Sequence, residues 1–125
     1  MTDELRGRRF LVVEDEYVIA ADLAACLEAL GIEVAGPAAS VAEALTLVES
    51  DGDRLDGAVL DINLGNERVY AVADVLRGRG IPFVFTTGYD AAVVPNSYAD
   101  VPRCEKPVDD RRLARCLSGI TQRSK

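Results

Sequence analysis

Short apolar, β-rich runs alternate with segments of helical period along this chain, and each run stops abruptly at a polar group. Runs of this kind read as strands buried on both faces, and helices between them act as crossovers, so the pattern predicts a parallel sheet covered on both sides. Phe10 to Val13 is the first run and ends at Glu14, Asp15 and Glu16. A helix follows from Glu16 to Leu30, with Ile19, Leu23, Cys26, Leu27 and Leu30 at helical spacing and Gly31 as its stop. Ile32 to Ala35 makes the second strand, closed by Gly36 and Pro37, and Ser40 with Glu43 forms a capping box for a helix running to about Glu49, with Leu45 and Val48 inward.

Gly57 to Leu60 is the third strand and ends at Asp61, followed by a loop with Gly65 and Asn66. The third helix spans roughly Glu67 to Arg77, with Val69, Val72, Ala73 and Leu76 inward, and Gly78 and Gly80 terminate it. Pro82 opens a fourth strand, Phe83 to Thr86, ending at Thr87 and Gly88. Asp90 to Val101, with Pro95 and Asn96 inside it and Pro102 just beyond, has no sustained period, which predicts an irregular or weak fourth helix. A fifth strand around Arg103 to Glu105 leads to Lys106 and Pro107, and a last helix covers about Asp109 to Ile120, with Leu113, Cys116, Leu117 and Ile120 on one face. The 125 residues suffice for one domain with a single sheet, and no linker, repeat or low-complexity stretch divides them. The expectation is one domain over 1–125 without an output domain.

Composition removes several function classes. The chain has no histidine, which excludes a His-based metal site, a Ser-His-Asp triad and a phosphohistidine of its own. A net charge of −7, from 14 basic and 21 acidic residues, argues against a nucleic-acid partner. No apolar stretch is long enough to span a membrane, and Met1 to Arg9 lacks the layout of a secretory signal, so a cytoplasmic location is expected. Cys26, Cys104 and Cys116 are odd in number, lack CxxC spacing and sit among apolar neighbours, as reduced and mostly buried thiols do.

Ligands of parallel sheets bind at the carboxyl ends of the strands. There the chain places Glu14 and Asp15, Asp61, Thr87 and Lys106, on strands one, three, four and five. Close carboxylates repel by roughly 1 to 4 kcal/mol per pair, so a cation must sit among them. Lys106 offsets one charge, and an oxygen-only donor set suits Mg²⁺, which prefers phosphate as a co-ligand. In that reading Glu14, Asp15 and Asp61 hold the metal with the Asn63 backbone carbonyl, Asp61 is the nucleophile, Lys106 neutralises the phosphoryl group and Thr87 hydrogen-bonds it.

These residues, in this order, resemble the receiver domains of two-component response regulators, over essentially the whole chain. The resemblance implies a flavodoxin-like doubly wound sheet of order 2-1-3-4-5, phosphorylation of Asp61 by a sensor histidine kinase, and a cis proline at Pro107 after the lysine. Phe85-Thr86-Thr87-Gly88-Tyr89 further resembles the FATGUY-motif subgroup, with Thr86 in place of alanine, and Asp61 to Glu67 is similar to that subgroup's loop. Members are often free-standing receivers served by HWE-type or related kinases, which implies a relay, a phosphate sink or the receiver part of a longer protein, with a downstream phosphotransfer or target protein. Most receivers carry Tyr or Phe three residues before the lysine, where this chain has Arg103. The candidates for transmitting the switch are then Thr87, Tyr89, Tyr98 and Arg103, through ordering of the segment from Asp90 to Pro102.

Two other readings compete. A phosphorylation-independent interaction module could use the same fold. A haloacid-dehalogenase-type phosphatase also uses a strand-end aspartate with Mg²⁺, but Asn63 replaces the second acid of its motif and cannot serve as the proton donor. Arg111, Arg112 and Arg115 read as a solvated face of the last helix.

Overall fold

The computed structural model describes residues 5–87, 94–106 and 108–123, the last three by backbone alone. Its centre is a five-stranded, all-parallel sheet made of β1 (Arg9–Val13), β2 (Glu33–Ala38), β3 (Gly57–Asp61), β4 (Phe83–Thr87) and β5 (Arg103–Glu105), in the order β2-β1-β3-β4-β5. Four α-helices are found among the described residues: α1 (Tyr17–Ala29), α2 (Val41–Asp51), α3 (Tyr70–Gly78) and α4 (Asp110–Arg123).

Strand alternation divides the core into two clusters. Phe10, Val12, Val59 and Val84 pack with Leu23 and Leu27 of α1 and with Leu113, Leu117 and Ile120 of α4. Leu11, Val13, Leu60, Phe83 and Phe85 pack on the opposite face with Ala44 and Val48 of α2 and with Val72, Ala73 and Leu76 of α3. Each large side chain buried this way contributes about 1.5–3 kcal/mol. β3 and β4 are buried along their whole length, so the apolar runs that end in Asp61 and Thr87 occupy the middle of the sheet.

The capping box at α2 forms with one variation. Ser40 Oγ accepts from the Glu43 amide at 3.1 Å, while Glu43 reaches back to the Ala39 amide at 2.8 Å, one residue beyond the cap itself.

Three boundaries differ from expectation. β2 does not close at Gly36 but continues to Ala38, with an irregular register between the Leu11–Ala35 and Val13–Ala38 pairs. A proline is tolerated there because β2 is an edge strand. Gly36 sits at φ +94°, and a Cβ on it would lie 2.8 Å from the Ala38 amide nitrogen, so glycine is required at that bend. The Gly36–Pro37 bond is cis, whereas Pro107, for which a cis bond was expected, lies outside the described residues.

α3 begins at Tyr70 rather than near Glu67, because Glu67–Arg68 folds back on Asn63–Leu64 as a short antiparallel ribbon around a left-handed Gly65. Between β4 and β5 the described residues hold only a 3₁₀ turn at Asn96–Tyr98, which agrees with the weak fourth helix expected there. α4 extends to Arg123, past the expected end near Ile120.

Candidate phosphoacceptor site

The site grows out of the sheet ladder. Beyond the last residue of β1, the Glu14 amide donates to the Ala38 carbonyl at 2.9 Å, and beyond β5 the Lys106 amide donates to the Thr87 carbonyl at 2.8 Å. Asp61 is the last residue of β3, directly opposite Thr86. Strands β1, β3, β4 and β5 therefore deliver Glu14, Asp15, Asp61, Thr87 and Lys106 to one edge.

At that edge the Lys106 ammonium lies 2.8 Å from Glu14 Oε1 and 3.3 Å from Asp61 Oδ2. Glu14, Asp61 and Thr87 are buried, while Asp15 is exposed. Carboxylate oxygens of Glu14, Asp15 and Asp61 all lie within 4.8 Å of one another. Three carboxylates thus share one lysine, which leaves an excess of negative charge in a partly dehydrated pocket. Oxygen donors at this density fit a hard divalent cation such as Mg²⁺, which receivers of this fold typically bind.

The electrostatics follow from this crowding. Burial pushes the Glu14 carboxyl above its ordinary range, the neighbouring Asp61 adds to the effect, and Lys106 opposes it. Burial alone would lower the Lys106 pKa, but the hydrogen bond with Glu14 and the charges of Asp61 and Glu14 outweigh it, so the ammonium is held above its ordinary value.

Asn63 sits in the ribbon two residues past Asp61, and its side-chain Oδ1 is buried without a hydrogen bond among the described residues. The turn after it brings Gly65 beside the acids, where a Cβ would lie 3.7 Å from Asp15 Oδ2. Thr86 Oγ1 is also buried without a hydrogen bond among the described residues. Thr86 stands where the FATGUY motif has alanine, directly beside Thr87.

Of the switch candidates, Tyr98 is buried: its ring stacks on Tyr70, meets Phe85 edge-on and lies under the Arg77 guanidinium, and its hydroxyl donates to Asp74 and to the Tyr70 carbonyl. Arg103 is exposed on β5, where its register partner is Phe85, and Tyr89 lies outside the described residues.

No family model matches the chain. Among solved structures, SdrG from Sphingomonas melonis Fr1 is 39% identical with a TM-score of 0.81, over 90% of this chain and 95% of that one. The receiver domain of the hybrid histidine kinase CckA is 27% identical with a TM-score of 0.74, over 91% of this chain and 99% of that domain. The chain belongs to the response regulator receiver family. This receiver also matches SdrG in its BeF3-activated conformation, at 40% identity and a TM-score of 0.75, over 90% of this chain and 95% of that one. The phyllosphere-induced regulator PhyR of Methylorubrum extorquens is 38% identical over 81 residues, 63% of this chain, and the receiver spans only 30% of the length of that curated relative. The FATGUY resemblance of Phe85 to Tyr89 is consistent with SdrG and PhyR. No helix among the described residues is long and apolar enough to cross a membrane.

Proposed function

We propose that this receiver takes a phosphoryl group onto Asp61 from the phosphohistidine of a sensor histidine kinase, of HWE type or related, in a Mg²⁺-dependent reaction. The change is then passed by contact to a phosphotransfer or target protein. The observation that carries this reading is the Lys106 ammonium held between Glu14 and Asp61, with the Asp15 carboxylate beside them.

Glu14, Asp15, Asp61 and the Asn63 backbone carbonyl would hold Mg²⁺, which supplies positive charge against the transferring phosphoryl group. An Asp61 carboxylate oxygen attacks phosphorus, the bond from phosphorus to the kinase imidazole nitrogen breaks, and the electron pair leaves on the imidazole. The product is an acyl phosphate. Lys106, its ammonium favoured by its acidic neighbours, pairs with the new phosphoryl oxygens, and the Thr87 hydroxyl donates to one of them. The protein catalyses only its own phosphorylation and dephosphorylation and turns over no separate substrate. That SdrG, a protein of similar fold, has a BeF3-activated conformation supports this reading.

Incubation with phosphoramidate and Mg²⁺ tests this by intact mass. The expected result is a gain of one phosphoryl unit that chelation of the metal and Asp61→Asn both abolish. No gain, or a gain that survives Asp61→Asn, contradicts the reading and favours a phosphorylation-independent module.

A further inference from the structure

Beside the acid pocket, with Thr87 in its wall, β5 and α4 frame an open groove of about 510 Å³. Arg103 from the strand and Arg112 and Arg115 from the helix line it, and Thr87, Cys104 and Cys116 contribute to its walls. All three arginines are exposed. Arg9, Arg54, Arg77 and Lys106 each meet a carboxylate, yet none of these three guanidiniums forms an ion pair or side-chain hydrogen bond with a described residue. The one carboxylate in the lining is Glu105, so the groove is locally positive on a chain whose net charge is −7.

We propose that this groove binds an acidic, Glu- or Asp-rich segment of a partner protein. Charge complementarity selects the occupant. Forked guanidiniums suit carboxylates bidentately, and three of them along a strand and a helix match successive acidic side chains better than a single ion. A polynucleotide would meet these cations only within the groove and repulsion from the acidic surface elsewhere. Cys104 adds an apolar, unreactive wall: it is buried, and burial, reinforced by neighbouring Cys116, pushes its thiol up to about 12. The inference gives Arg103 a role at the position where an aromatic was expected, and it does not depend on Asp61 being phosphorylated.

The test is fluorescence anisotropy of a short labelled peptide of alternating glutamate and serine, with unphosphorylated protein at low ionic strength. The peptide is expected to bind, to weaken as salt rises, and to shift the amide resonances of Arg103 to Glu105 and Arg112 to Cys116. Combined Arg103→Glu, Arg112→Glu and Arg115→Glu should weaken it about tenfold, as the loss of three exposed ion pairs implies. Arg111→Glu carries the same kind of charge change on the helix but lies on a different groove, and should leave affinity nearly unchanged. The amide spectrum of the triple variant checks that it is folded. Absence of binding, equal binding by the triple variant, an equal loss from Arg111→Glu, or tighter binding of a single-stranded oligonucleotide of matched charge would each overturn the proposal.

Discussion

Two polar clusters are buried in this receiver, and they are built on opposite principles. At the strand ends, Glu14 and Asp61 are buried as acids around a single lysine, and every group there is expensive to keep dry. Below α3, Tyr98 buries a phenol among Tyr70, Phe85 and the Arg77 guanidinium, with its hydroxyl satisfied by Asp74. The first cluster crowds three carboxylates around one ammonium. The second has its polar atoms paired and its rings packed, and it holds the segment before β5 onto the sheet.

The largest effect expected from this contrast is on the aromatic side. Phe85→Ala removes a fully buried ring that touches Tyr70, Phe83 and Tyr98, and should cost about 3–5 kcal/mol in denaturant unfolding. A cost near that of a surface substitution would mean that the cluster does not hold the fold. Next in size is the metal. Mg²⁺ at roughly a hundred times its dissociation constant should stabilise the protein by about 2.7 kcal/mol and raise the melting temperature accordingly. Asp15→Asn should reduce that shift, and an undiminished shift would place the ion elsewhere.

A smaller loss, about 1 kcal/mol, is expected for Tyr98→Phe, which keeps the ring and removes the hydrogen bond to Asp74. Phosphorylation of Asp61 should persist in that variant. The smallest effect is a pH slope. The Glu14 carboxyl binds its proton more tightly in the folded state than in the unfolded chain, where its ordinary value is near 4.5. Its share of stability is therefore gained as pH falls from neutrality toward 4.5 and lost as pH rises through the folded value. Glu14→Gln should flatten that part of the profile relative to the native chain in urea unfolding followed across pH. A profile unchanged by the substitution would contradict a strained Glu14.

The same contrast explains how much was legible in the sequence. The acid site stood out because each strand is a short apolar run with an abrupt polar end, and a parallel sheet gathers such ends at one edge. The places of Glu14, Asp61, Thr87 and Lys106 follow from that, whereas the order of the strands was implied by the resemblance to receivers. The aromatic cluster did not stand out, because Tyr70, Phe85 and Tyr98 are far apart in the chain and meet only through packing across β4. Tyr98 was suspected as part of a switch, but its anchoring to α3 through Asp74 could not be foreseen from spacing.

Boundaries failed where tertiary pairing overrode local signals. Gly36 and Pro37 read as a strand end, yet an edge strand has room for both, and Glu67 read as a helix start, yet it pairs in the ribbon with Leu64. The three arginines beside β5 illustrate a further limit: Arg112 and Arg115 looked like a solvated helix face until the fold set Arg103 next to them.

The central claim is that Asp61, and no other carboxylate at the crowded edge, becomes the acyl phosphate. Borohydride reduces an aspartyl phosphate to homoserine, so peptide mapping after phosphoramidate and Mg²⁺ treatment reports the position directly. The account predicts homoserine at position 61 alone. Homoserine at position 15, reduction of Glu14, or an unmodified Asp61 in protein that has gained the phosphoryl mass would contradict it.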